Sequence, residues 1–152
     1  MSDLHLIPQD DPRLHVVSDE VTFPVDSEMI SFIVQMEFFL VEQRAVGLAA
    51  PQVGVNKRII IVDVDYPRSR QLLMINPVIT RTGSRIVKEF REGCLSAPNT
   101  YVVKPRYDLV TVEYQNVSGV KHQQLFRGLT SICVQHEIDH LNGILITDKN
   151  GE

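Results

Sequence analysis

One stretch constrains this chain of 152 residues more than any other: Gln135-His136-Glu137-Ile138-Asp139-His140-Leu141-Asn142-Gly143. On a helix, His136 and His140 stand one turn apart on one face, their Cβ atoms about 5–6 Å apart, so two imidazoles converge on a single cation. Two imidazoles leave such a site waiting for a third protein ligand. Glu137 sits one step round from His136. From there its carboxylate approaches the open side of a metal without being a ligand, which is where the general base for an attacking water belongs. Two solvated histidines on a surface helix would give the same letters, but a His-Glu-x-x-His spacing seldom arises without a metal. Gly143 is the natural C-terminal stop for a helix over residues 128–142.

Two cysteines compete for the third position. Cys133 precedes His136 by one helical turn, whereas Cys94 arrives from a separate segment. A tetrahedral site closes more easily on a ligand from a facing strand or loop than on three groups along one helix, which favours Cys94 and leaves Cys133 to pack as a small apolar residue beside the site. Asp139 points away from the face shared by the two histidines and supports the helix or a neighbouring strand.

Composition narrows the setting. Hydrophobic residues make up 43% of the chain, which suits a single domain over residues 1–152 with a core of its own. A formal charge of −4 argues against a protein whose main affinity is for nucleic acid or an anionic membrane, so any basic surface is local. No apolar run reaches the length of about 20 residues that a spanning helix needs. With two cysteines and no secretory signal at the start, a reducing cytoplasm is the expected compartment.

Along the chain, Asp11-Pro12 reads as the cap and first residue of a short helix. Asp26 or Ser27 opens a longer one ending near Gln43. Its Met29, Phe32, Ile33, Met36, Phe39 and Leu40 form a core-facing stripe, packing against a sheet being a commoner reason for such a stripe than a cofactor. Gly47-Leu48-Ala49-Ala50-Pro51-Gln52-Val53-Gly54 fits neither helix nor regular strand; it is either a tight connection or a wall of the site presenting main-chain groups and the Gln52 amide. Strands are expected at 58–65 and at 72–75, the latter closed by Asn76-Pro77. Others are expected at 85–91, leading into Glu92-Gly93-Cys94-Leu95-Ser96, and at 101–104. A hairpin follows, in which Val110, Val112 and Tyr114 alternate with a wet face of Thr111, Glu113 and Gln115, and Asn116 to Gly119 turns the chain back into residues 120–126. The expected class is α+β: antiparallel strands wrapped about the helix of residues 128–142, with the helix of residues 27–43 packed outside and the tail after Asp148 frayed.

Three segments, in order and spacing, resemble the signature motifs of the peptide deformylases: Gly47 to Gly54, Glu92 to Ser96, and Gln135 to Leu141. The resemblance runs from about Asp11 to Asp148. It implies that Cys94, His136 and His140 bind the metal, that Glu137 is general base and acid, and that Gln52 and the backbone N–H of Leu95 hold the formyl oxygen. It implies a substrate, N-formylmethionine at the start of new polypeptides, and a methionine pocket lined by Val46, Gly47, Phe90, Glu92, Leu129, Ile132, Cys133 and His136. Glu92 would pair with Arg106 in a structural role. One thiolate and two imidazoles suit zinc as well as iron; the resemblance implies Fe(II), with nickel, cobalt or zinc as substitutes.

The sequence departs from the family pattern at Ala45, where glycine is usual, and at Tyr101, often an arginine that meets the second or third substrate residue. It also stops at Gly151-Glu152, where bacterial members often continue into a basic helix that docks at the ribosome; the brevity resembles phage-encoded members, and any ribosome association is expected without that helix. Two rivals remain at this stage. A zinc peptidase would use the same water and glutamate, but its third ligand is more often His or Glu than Cys. A silent metal module would need neither Glu137 nor Gln52.

Overall fold

The computed structural model describes residues 2–63 and 70–148. After a 3-10 turn at Pro12–His15 come helix α1 (Ser27–Gln43), strands β1 (Gly47–Ala49), β2 (Ile59–Asp63), β3 (Gln71–Thr82), β4 (Ile86–Val87), β5 (Arg91–Cys94), β6 (Ala97–Val103), β7 (Arg106–Tyr107), β8 (Leu109–Gln115) and β9 (Lys121–Arg127), and helix α2 (Gly128–Leu141). Five strands form an antiparallel sheet in the order β1-β2-β3-β8-β9, and the pairs β4-β7 and β5-β6 form two small ribbons.

The sheet is buried on both sides because the two-residue period of its strands feeds two separate apolar clusters. Ile60, Val62, Met74, Val110, Val112 and Phe126 point to one face, where Val134, Ile138 and Leu141 of α2 meet them. Ile59, Ile61, Ile75 and Leu48 point to the other, against Ile33, Met36, Phe39 and Leu40 of α1. A strand covered on both faces has no wet side to signal, which is why β2 is a β-branched run rather than an alternation. The architecture is the α+β arrangement expected, with α2 central and α1 outside.

Local capping follows the sequence. Asp11 accepts from the Arg13 N–H at 2.9 Å and Asp26 from the Met29 N–H at 2.8 Å, each satisfying a donor that its helix cannot. Gly143, at φ 74°, ends α2 in the left-handed conformation.

Several boundaries differ from the sequence reading. The segment Gly47 to Gly54 is not irregular: it is β1, paired with β2, running straight into a 3-10 turn at Ala50–Val53. The strand read as ending at Asn76-Pro77 continues to Thr82. Asn76 takes φ 53°, and the register with β8 shifts between Ile75 and Val78, so the proline falls at a bulge that needs no N–H there. The strand read at 85–91 is two short ones, β4 and β5, that pair with different partners. Thr111, read as wet, is buried, since β8 lies between β3 and β9. The end of the strand read at 58–65 and the tail after Asp148 fall outside the described residues.

Candidate metal centre

Helix α2 enters the molecule between β1, β2 and β9, so the polar side chains of its last turns are enclosed: His136, Glu137 and His140 are 8%, 5% and 1% exposed. The ribbon β5-β6 delivers the third group. Cys94 opposes Ala97 across the turn Leu95-Ser96, and its Sγ lies 3.4 Å from His140 Nε2. One ligand atom from each of Cys94, His136 and His140 falls within 4.8 Å of the others. Cys133 is not in this group. Burial, with the Glu137 carboxylate second, pushes its thiol up to about 12, so it remains a protonated wall residue.

His136 is aimed by a chain of charges. Arg106 on β7 forks onto Glu92, Nε to Oε2 at 2.7 Å and Nη2 to Oε1 at 2.8 Å, and its Nη1 reaches Asp139 Oδ2 at 2.6 Å. Burial works against the Glu92 carboxylate, yet hydrogen bonds from Arg106 and His136 bring it down to about 2. An ionised Glu92 can only accept, so His136 Nδ1, 3.1 Å from its Oε1, must be the donor. That fixes the tautomer and leaves Nε2 with its lone pair for a metal. Gln135, the first residue of the motif, holds β7 in place: its Oε1 accepts from the Tyr107 N–H at 3.0 Å and its Nε2 donates to the Tyr107 carbonyl at 2.8 Å.

The donor set fits a divalent cation. Burial disfavours a charged His136, but Glu137, Cys94 and Glu92 together still push it up to about 10. A cavity that draws a proton so strongly is short of positive charge, and a thiolate and two imidazoles are ligands for a cation of intermediate softness. His140, by contrast, is pushed well down, by burial first and then by His136 and Arg106, and stays neutral as a ligand must.

Glu137 and Gln52 line the same cavity. Burial lifts the Glu137 carboxyl to about 7 against the pull of His136 and Arg106, and its Oε1 is buried without a hydrogen-bond partner. A Cβ added at Gly47 would overlap Glu137 Oε2, so only glycine lets β1 pass this close to the carboxylate. Gln52 accepts from the Ala49 N–H through Oε1 at 3.0 Å, which turns its Nε2 toward the thiol, 3.5 Å from Cys94 Sγ and 3.0 Å from Ser96 Oγ.

Above the cluster opens a cavity of about 510 Å³. Every residue expected on the methionine pocket lines it, namely Val46, Gly47, Phe90, Glu92, Leu129, Ile132, Cys133 and His136, as do Gln52, Leu95 and Glu137. His140 is buried behind the lining. Ala45 and Tyr101, the two departures from the family pattern, are on its wall. Sequence reasoning missed Ser96, which steadies Gln52, and Arg44, which also lines the cavity. Ser96 lies inside a motif already quoted; Arg44 had no signal beyond its place between α1 and β1.

Residues 4–152 match the family model described as polypeptide deformylase. A peptide deformylase from Neisseria meningitidis is 39% identical over 149 residues, 98% of this chain and 87% of the relative. Among solved structures, a class I type b peptide deformylase from Acinetobacter baumannii superposes with a TM-score of 0.91 at 31% identity, covering 98% of this chain and all of that one. The same enzyme bound to Met-Ala-Ser gives a TM-score of 0.88 at 32% identity, covering 96% of this chain and 98% of the other.

Proposed function

The chain belongs to the peptide deformylase family, and from that premise we propose that Cys94, His136 and His140 hold its metal and that Glu137, Gln52 and Leu95 carry its chemistry. The enzyme is a metal-dependent hydrolase that takes the formyl group from the N-formylmethionine of newly synthesised polypeptides and releases formate. The cation is Fe(II), with zinc, nickel or cobalt able to replace it, and the chain works as one catalytic domain in the cytoplasm on nascent peptides. The observation that carries the residue assignments is the convergence of the Cys94, His136 and His140 ligand atoms beside the Gln52 amide and an unpartnered, buried Glu137 oxygen.

A cation held by these ligands acidifies water and polarises a carbonyl. The remaining steps belong to the side chains. The apolar wall of Val46, Phe90, Leu129, Ile132 and Cys133 buries the methionine side chain and sets the formyl carbon at the inner end of the cavity. Glu137 takes the proton of the attacking water. Burial has raised its basicity toward neutral pH, where a general base is most effective. As the carbonyl carbon becomes tetrahedral, charge gathers on the formyl oxygen. Gln52 Nε2–H and the Leu95 N–H donate to it; Gln52 costs no reorganisation, because Ala49 and Ser96 already fix its amide. Glu137 then returns its proton to the leaving amine, the C–N bond breaks, and formate and a free amino terminus depart.

The test is the bond chosen. Metal-loaded protein is expected to release formate from formyl-Met-Ala-Ser and to leave Met-Ala-Ser intact. Cleavage of the Met-Ala peptide bond would instead support the zinc-peptidase reading.

A further inference from the structure

Arg44 is the residue the mechanism does not use. It ends α1 with φ 53° and ψ 39°, its N–H bonded to the Leu40 and Val41 carbonyls. That left-handed cap ordinarily goes to glycine or asparagine, since a Cβ there crowds the following carbonyl. The strained arginine stands at the point where α1 delivers the chain into β1. The side chain lines the active-site cavity, and its guanidinium has no ion pair or hydrogen bond with any described residue.

A second cation, with no ion pair among the described residues, lies on the β5-β6 side. Arg91 stands 5.8 Å from the centroid of Tyr101, a cavity-lining residue that is 61% exposed. The acids lining the cavity are both buried: Glu92 is paired with Arg106 and His136, and Glu137 lies beside Gly47. The exposed wall of the cavity therefore carries the Arg44 charge with no acidic partner among the described residues.

We propose that Arg44, supported by Arg91 beside Tyr101, selects peptides with an acidic side chain at the second or third position after the formylated methionine. This rests on the deformylase reading for the direction in which the peptide lies: methionine fills the apolar inner end, and the following residues leave past Arg44 and Tyr101. The pairing is solvent-exposed, so it is modest and weakens with added salt.

The test measures both turnover and binding at low ionic strength. For turnover, kcat/KM is compared for formyl-Met-Asp-Ser, formyl-Met-Ala-Asp, formyl-Met-Ala-Ser and formyl-Met-Lys-Ser; for binding, calorimetry uses the corresponding unformylated peptides. The better of the two acidic peptides is expected to exceed the lysine peptide about fivefold in both, through KM rather than kcat. Arg44→Gly, which fits the left-handed cap without strain, is expected to reduce that ratio, and Arg44→Glu to reverse it. Equal ratios in the parent and both variants would overturn the inference. Charge-selective binding by a protein that releases no formate would uphold the inference and overturn the deformylase reading instead.

Discussion

Gly47 is dictated by a side chain ninety positions away, the Glu137 carboxylate that passes where a Cβ would stand. Gly47→Ala is expected to displace that carboxylate while leaving the three ligands in place, so kcat should fall by about 10–100-fold with metal content unchanged. Metal analysis beside steady-state kinetics checks both halves. Glu92 makes a second demand at this scale. Its folded value of about 2 lies below the ordinary 4.5. The pair with Arg106 and His136 therefore contributes fully above about pH 4.5 and is lost as the pH falls toward 2, a contribution of roughly 3 kcal/mol. Urea unfolding of Glu92→Gln should show a loss of at least that order at pH 7 that narrows across this window. A parent and variant that differ by the same amount at pH 3 and pH 7 would contradict it. Glu137 was legible from the His-Glu-x-x-His spacing and Cys94 from the need for a ligand on a facing segment, whereas the roles of Gln52 and Glu92 came only from the resemblance of their motifs to the family. Arg44 and Ser96 were not legible, since an arginine after a helix and a serine in a turn are ordinary until the fold places them.

The strand β3 illustrates what sequence reading loses between elements. Asn76-Pro77 has the local chemistry of a terminator, yet the strand continues through it. Asn76 is held from outside: it accepts from the Val21 N–H at 2.8 Å and donates to the Val21 carbonyl and to Gln115 Oε1, both at 2.9 Å. Those partners lie 55 and 39 positions away, beyond the range of any local pattern. Asn76→Ala should destabilise the protein by about 1–3 kcal/mol, measured as a lowered urea midpoint with an unchanged slope. Helices α1 and α2 were easier, because a cap at Asp26 and a stop at Gly143 are local signals that the packing reinforces. The two-residue strands β4 and β7 carry no such signal. They exist because Gln135 binds the Tyr107 backbone and so brings Arg106 to Glu92.

At the scale of the molecule, one sheet separates two apolar clusters, and the metal centre is built where α2, the β1 edge and the β5-β6 ribbon meet. His136, Glu137 and His140 come from α2, Cys94 from β5 and Gln52 from the turn after β1, and all are tied to the same frame. This explains how a cavity with so many polar groups is compatible with a stable core. The class of fold was legible from helix periodicity and strand alternation, whereas the order β1-β2-β3-β8-β9 was not, since it is set by which apolar faces meet rather than by any segment alone. The most direct test of the account is formate release from formyl-Met-Ala-Ser by anaerobically prepared, Fe(II)-loaded parent and Glu137→Ala proteins, with metal content measured in each. Rapid release by the parent, and nearly none from a variant that retains its metal, is the result the account predicts. Substantial release by metal-loaded Glu137→Ala would contradict it.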